Sequence, residues 1–188
     1  MEKLFTAFQK IVKSSTATIS KTEKKDESIK VTVKVRSGLQ VLHSPIDGEI
    51  IDLNKVPEGA FSGKLLGDGF AIIPTGNKVY SPADGEVVVL FPTKHAVVIL
   101  TEEGLEILIH IGINTSSLQG EAFTVHAPKG TKVKTGDLLI TFDNEIIKKN
   151  GKSPISPIII TNMNVVKGLS VDFGNKKALE KVCEVTLI

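Results

Sequence analysis

His95-Ala96-Val97-Val98-Ile99-Leu100-Thr101-Glu102-Glu103-Gly104-Leu105-Glu106-Ile107-Leu108-Ile109-His110 consists of two short apolar runs around a polar turn. Both runs are rich in β-branched residues, which suit a pleated surface, so the stretch predicts a β-hairpin. Two registers are open. If a loop of two or four residues closes symmetrically, Leu100 faces Leu105 and His95 faces His110. Directly opposed side chains have Cβ atoms about 4.5–5.5 Å apart, so two imidazoles would stand side by side. Thr93 then lies opposite Gly112 on the same face. If a three-residue loop instead ends at Gly104 with a bulge, the pairing slips by one and strand alternation sends the histidines to opposite faces. The spacing favours the first register and leaves the second open.

Outward from the hairpin the same texture continues. Short Val/Ile-rich runs at 31–35, 48–53, 70–73, 85–90, 138–142 and 158–160 alternate with clusters of Gly, Pro, Asp and Asn. No long helical periodicity intervenes. Many short strands between turn signals predict an all-β fold, an antiparallel sandwich or barrel, with helical turns only in loops near 56–61 and 145–149. Ser44-Pro45-Ile46-Asp47-Gly48-Glu49-Ile50-Ile51 recurs 37 residues on as Ser81-Pro82-Ala83-Asp84-Gly85-Glu86-Val87-Val88. Each copy reads as a turn feeding a strand. Two copies suggest pseudo-symmetric strand pairs, since a solenoid needs three or more. Gly130-Thr131-Lys132-Val133-Lys134-Thr135-Gly136-Asp137 is a further turn ahead of a strand. These residues specify backbone geometry and carry no catalytic expectation.

The 188 residues suffice for one core-bearing domain, placed at 30–188, with a basic arm at 1–29. Residues 1–40 hold nine Lys/Arg against four Asp/Glu, a surplus of +5, and the rest of the chain nets −3. Leu4, Phe5, Phe8, Ile11 and Val12 fall at helical spacing, so 1–13 predict a short amphipathic helix able to make weak contact with an anionic membrane surface. Residues 14–29, rich in Ser, Thr, Lys and Glu, read as a linker. No apolar run is long enough to span a bilayer, and the first residues lack the apolar core of a signal peptide. The one cysteine, Cys183, excludes an internal disulfide framework and a multi-cysteine zinc site and fits a cytoplasmic location. One tyrosine, no tryptophan and no basic–aromatic stripe argue against nucleic-acid binding.

A neutral imidazole nitrogen is a competent nucleophile near pH 7 and can hold a phosphoryl group as a phosphoramidate. A second imidazole can donate to the phosphoryl oxygens, and the Thr93 hydroxyl can orient a ring. No GxxxxGK[ST] loop is present, so the phosphate must come from another molecule rather than a bound nucleotide. On their own, two imidazoles on one face are more often a structural pair or an incidental surface metal site than a phosphoryl carrier.

Several further stretches occur in a fixed order. They are Gly67-Asp68-Gly69-Phe70-Ala71-Ile72, Pro74-Thr75-Gly76-Asn77, Thr93-Lys94-His95-Ala96, His110-Ile111-Gly112-Ile113-Asn114-Thr115, Leu118-Gln119-Gly120-Glu121-Ala122-Phe123 and Ser156-Pro157-Ile158-Ile159-Ile160-Thr161-Asn162-Met163. With the repeat and the Val133–Asp137 turn, they resemble the glucose-type enzyme IIA of the phosphoenolpyruvate-dependent sugar phosphotransferase system over about residues 40–188. The resemblance implies a flattened antiparallel β-sandwich with both histidines in a shallow surface depression, in keeping with the first register. It implies that His110 takes a phosphoryl group on Nε2 from the histidine-containing phosphocarrier protein. His110 then passes it to a cysteine on the IIB unit of a membrane sugar transporter. His95 stabilises the group in transit and Thr93 supports the pair by hydrogen bonding. Phe61, Leu65, Leu66 and Phe91 form an apolar rim for both partners. The resemblance implies a monomer without a cofactor, with regulatory docking on permeases or kinases as a compatible second role. Glucose or N-acetylglucosamine is the expected sugar.

The chain departs from the pattern at Asn114, where many relatives have Asp, and at the less bulky Glu58-Gly59-Ala60-Phe61. Both bear on partner contact. His43 and His126 read as turn or surface residues, and Cys183 as an inert small apolar residue. The alternative is a zinc-dependent hydrolase of the related peptidase fold, with His95 and His110 as ligands. It needs a third ligand and usually a His-x-His pair, which the sequence lacks; the two histidines remain able to take up adventitious zinc. A biotin- or lipoyl-carrier reading of Val133-Lys134-Thr135-Gly136-Asp137-Leu138 lacks the lysine hairpin.

Overall fold

The computed structural model of the chain describes residues 37–188. The helix expected over 1–13, the linker over 14–29 and the strand over 31–35 lie outside the described residues. The described residues form an all-β, antiparallel sandwich-like fold. Its strands are β1 (Gly38–His43), β2 (Gly48–Asp52), β3 (Asp68–Pro74), β4 (Lys78–Tyr80), β5 (Gly85–Leu90), β6 (Ala96–Thr101) and β7 (Glu106–His110). They continue as β8 (Phe123–Val125), β9 (Lys132–Val133), β10 (Leu138–Phe142), β11 (Ser156–Ile160), β12 (Val166–Val171), β13 (Gly174–Lys176) and β14 (Lys181–Leu187). Among the described residues helix is confined to two loop segments, α1 (Gly59–Ser62) and α2 (Asn144–Lys149), and to short 3-10 turns. Asp143 starts α2 by accepting from the N–H groups of Glu145 and Ile146, which satisfies two of the donors a helix start leaves open.

The largest sheet runs β13-β2-β3-β11-β7-β6-β5-β9, and two three-stranded sheets run β1-β14-β12 and β4-β10-β8. This order is a palindrome. Exchanging β2 with β5, β3 with β6, β11 with β7 and β13 with β9 leaves it unchanged. The repeat read in the sequence is the seam of this duplication. The N–H of His43 donates to the Pro82 carbonyl at 3.0 Å, and that of Tyr80 donates to the Pro45 carbonyl at 2.9 Å. Within each copy the first serine folds back on the turn: Ser44 Oγ donates to the Ile46 carbonyl and Ser81 Oγ to the Ala83 carbonyl. Each turn aspartate accepts from a distant backbone N–H, Asp47 from Ala178 and Asp84 from Thr135.

A second arm of the duplication has diverged in sequence. The N–H of Gly136 donates to the Ser81 carbonyl and that of Leu179 to the Ser44 carbonyl. Both residues have positive φ, 93° for Gly136 and 71° for Leu179. Gly48 and Gly85 serve a different purpose from the flexible turn expected of an Asp-Gly pair. Neither has positive φ, but a Cβ on either would fall 2.3 Å from a carbonyl oxygen of the paired strand, Ile73 or Leu100. They are glycines because the next backbone leaves no room.

The centre of the large sheet is apolar on both faces. All five residues of β11 are buried, and β6 and β7 have one half-buried residue each. Fully burying each Ile or Leu there contributes about 1.5–3 kcal/mol. The hairpin β6–β7 is thus held rigidly in the middle of the sheet, and its open end carries the histidines.

Candidate active site

His110 is the last residue of β7, and the chain leaves the sheet just after it. Gly112 has φ of 70°, a conformation that favours glycine. A Cβ at Gly112 would also fall 2.6 Å from Thr115 Cγ2 and 2.8 Å from the Ser153 carbonyl oxygen. The turn is pinned by Thr115 Oγ1, which donates to the Ile111 carbonyl at 2.6 Å, and by the Ile113 N–H, which donates to Ser153. This geometry brings the Gly112 carbonyl oxygen to 2.8 Å from His110 Nδ1. A carbonyl only accepts, so Nδ1 carries the ring proton and Nε2 keeps its lone pair.

His95 sits immediately before β6. The turn ahead of it closes by Lys94 N–H donating to the Phe91 carbonyl, with Lys94 in the left-handed region at φ 58°. Thr93 Oγ1 lies 2.6 Å from His95 Nδ1. The His95 and His110 ring centroids are 4.8 Å apart with planes at 79°. Phe61 stands edge-on to His110 at 5.1 Å, and Phe91 edge-on to His95 at 5.5 Å. His95 Nε2 is sealed from solvent without a hydrogen-bond partner.

Burial sets the charge state. Desolvation lowers His95 to about 3, and the neighbouring His110 pushes in the same direction. Desolvation lowers His110 to about 4 against the opposing effect of its bond to Gly112. Both rings are therefore neutral near pH 7, and the His110 lone pair is available.

Two expectations need correction. The hairpin takes the three-residue loop: Thr101 N–H donates to the Leu105 carbonyl, Gly104 has φ of 96°, and Ala96 rather than His95 lies opposite His110. Thr101 Oγ1 secures this turn by accepting from the Leu105 N–H at 3.0 Å. The rings meet all the same, because His95 lies outside the strand and alternation does not govern its side chain. Its carbonyl still accepts from Ile111 N–H at 2.8 Å. The pair is also not open in a shallow depression: His95 is 1% exposed and His110 is 5% exposed.

Of the expected rim, Phe61 and Phe91 are buried against the imidazoles, Leu66 is half-buried, and Leu65 is 68% exposed. In this structure Phe61 forms a wall of the site and offers a partner almost no surface. Asn114 is exposed with φ of 58°, a conformation asparagine tolerates better than most residues. His126 is exposed and 3.1 Å from Thr141 Oγ1, and His43 is half-buried. The Cys183 thiol is pushed up to about 12, chiefly by burial, which keeps it an unreactive thiol. Among the described residues no group of three or more His, Cys, Asp or Glu converges to hold a metal ion, so the hydrolase reading lacks its third ligand. Gly112 and Ser156 also belong to the site, through the His110 Nδ1 contact and the Gly112 N–H. The local signal for the first is a glycine two residues after a candidate histidine; Ser156 has none.

Residues 40–166 match the family described as phosphoenolpyruvate-dependent sugar phosphotransferase system, EIIA 1. The chain belongs to this enzyme IIA family. Among solved structures, this enzyme IIA is similar to the glucose permease IIA from Mycoplasma capricolum. The identity is 40% over 78% of this chain and 96% of the other, with a TM-score of 0.75. Membership makes the protein a phosphotransferase component in sugar transport. Among the described residues no helix is long and apolar enough to cross a membrane.

Proposed function

We propose that this enzyme IIA carries a phosphoryl group on His110 Nε2. It accepts the group from the phosphorylated histidine-containing phosphocarrier protein and passes it to a cysteine of the IIB unit of a membrane sugar transporter. The reading is supported most by the 2.8 Å bond from His110 Nδ1 to the Gly112 carbonyl, which leaves the lone pair on Nε2. In the transfer that nitrogen bonds to phosphorus as the donor's N–P bond breaks, and the bonding pair returns to the donor imidazole. The proton on Nδ1 stays in place, and the Gly112 carbonyl stabilises the positive charge the ring acquires. The second transfer mirrors the first: the IIB thiolate attacks phosphorus, and the N–P pair returns to His110. Phosphoryl transfer depends mainly on positioning and charge stabilisation.

His95 takes the assisting role. To donate to a phosphoryl oxygen its Nε2 must carry the proton, so its Nδ1 accepts from the Thr93 hydroxyl. The sealed His95 Nε2 then gains a partner when phosphate arrives, a case of binding energy reserved for the transferring group. Leu65 and Leu66 provide apolar surface for the partners, while Phe61 and Phe91 yield when the partners dock. Such a protein works in the cytoplasm, and basic residues in 1–13 favour weak contact with the membrane bearing the transporter. Docking of the unphosphorylated protein on permeases or kinases would use the same face and be broken by charge on His110.

The test mixes the protein with phosphoenolpyruvate, enzyme I and the phosphocarrier protein. Intact mass and phosphorus NMR should show one acid-labile, base-stable phosphate on Nε2. His110→Ala should take none, and His95→Gln should take it but fail to pass it on. Label retained by His110→Ala would move the acceptor elsewhere.

A further inference from the structure

His110 depends on the Gly112 carbonyl for its tautomer, and the N–H of the same residue lies beyond the regular ladder. β7 ends at His110, and β11, its neighbour, begins at Ser156. Beyond the last ladder bonds the Gly112 N–H has no strand carbonyl to meet. It donates instead to Ser156 Oγ at 3.2 Å, and Ser156 Oγ donates onward to the Pro154 carbonyl at 2.9 Å. Ser156 is fully buried, at 0% exposure, so no solvent could replace its hydroxyl. Ser156 thus holds the N–H of Gly112 while the carbonyl of the same residue holds His110 Nδ1; the two groups lie in adjacent peptide units hinged at the Gly112 Cα, and the second unit is held in turn by Ile113 N–H donating to the Ser153 carbonyl.

From this chain of contacts we infer that Ser156 is a positioning residue: its hydroxyl fixes the backbone of Gly112 on its N–H side, and through the conformation of that residue keeps the His110 proton on Nδ1 and the lone pair on Nε2. Free imidazole in histidine prefers the opposite tautomer, with the proton on Nε2, so an external constraint is required. Without the hydroxyl a buried N–H is left unsatisfied, Gly112 can turn about its Cα to find another acceptor, and the carbonyl on the far side of that hinge shifts its aim at His110. The effect on the tautomer is independent of what His110 does. The effect on phosphate uptake rests on the acceptor role proposed above.

The test uses the full-length unphosphorylated chain with nitrogen-15-labelled histidine. Ring nitrogen shifts of His110 should report the Nδ1–H tautomer in the wild type and a tautomer mixture in Ser156→Ala. Ser156→Thr keeps the hydroxyl and should restore the wild-type pattern; Ser156→Cys, whose sulfur is a weak acceptor for the Gly112 N–H, serves if the alanine variant does not fold. Uptake from the phosphocarrier protein should fall roughly tenfold in Ser156→Ala and recover in Ser156→Thr. A single Nδ1–H tautomer surviving in the alanine or cysteine variant overturns the inference, and so does an uptake defect that leaves the tautomer untouched. A tautomer that responds to Ser156 in a protein that takes no phosphate on His110 supports the positioning role and removes the acceptor role instead.

Discussion

Thr93 Oγ1 and His95 Nδ1 lie 2.6 Å apart, two residues apart in the chain and on the same tight turn. The turn needs Lys94 at positive φ to bring hydroxyl and ring together. Replacing Thr93 by Val keeps its shape and removes the hydrogen bond. A bond of this kind contributes about 0.5–1.5 kcal/mol net, so onward transfer to IIB should slow by roughly threefold to tenfold. Uptake by His110 should change less, because His110 takes its orientation from Gly112. Rapid-quench measurement of both half-reactions checks this, and equal slowing of the two would place Thr93 in a different role.

The buried pair couples stability to pH. The folded values, about 3 for His95 and about 4 for His110, lie below the ordinary 6.5. Below pH 6.5 the unfolded chain binds protons at these sites that the folded protein does not, so stability rises with pH in that interval. The contribution is complete above about pH 6.5 and is lost as pH falls through the folded values. Thermal unfolding should show Tm falling from pH 6.5 to pH 4, with a shallower fall in the double variant His95→Gln, His110→Gln. Proton NMR of the ring C–H signals should place both midpoints well below the ordinary 6.5.

Much of the fold could be read from local patterning. β5 and β10 occupy the spans their Val/Ile runs predict, and the Ser44 and Ser81 repeats became the seam of the duplication. What escaped were strands without an apolar run of their own, such as β4, β9 and β13, which exist because a neighbour's edge accepts them. The site was half legible for the same reason. Counting along the hairpin pairs His95 with His110 only through a register the structure does not adopt; the rings meet because His95 lies outside the strand. The register failed because Gly104 took the third loop position at positive φ, a choice sealed by the Thr101 hydroxyl. The Gly112–Ser156 contact depends on β11 lying beside β7, residues 44 apart in sequence that no local pattern brings together.

The duplication makes its own prediction about stability. A methyl group at Gly48 or Gly85 would meet a carbonyl oxygen at the same 2.3 Å on the paired strand. Gly48→Ala and Gly85→Ala should each destabilise by about 1–3 kcal/mol through forced backbone shifts, lowering Tm by roughly 2–4 °C per kcal/mol for a domain of this size. The two losses should agree closely. Gly130→Ala is the control for crowding: its added methyl meets nothing within 4 Å, though its φ of 89° still disfavours a side chain. Chemical denaturation of the three variants would decide it, and a tolerated Gly85→Ala would show that β5 and β6 can separate at that point.

Phe61 supplies the last link between packing and chemistry. Its ring is 1% exposed and stands edge-on to His110 at 5.1 Å, so it contributes to the desolvation that lowers that imidazole. Shortening it to Leu trims the wall with limited disruption, and Ala removes it. Burial of a neighbour disfavours the charged ring, so both variants should raise the His110 midpoint from about 4 towards the ordinary 6.5, Ala more than Leu. Phe61→Ala should also cost about 3–5 kcal/mol of stability if the cavity does not collapse. A higher midpoint leaves less neutral imidazole below pH 6, so phosphate uptake by Phe61→Leu should decline at a higher pH than in the wild type. NMR titration of His110 beside uptake at several pH values reads both effects. An unmoved midpoint in Phe61→Ala would mean that other neighbours desolvate the ring, and the pH profile should then stay unmoved as well.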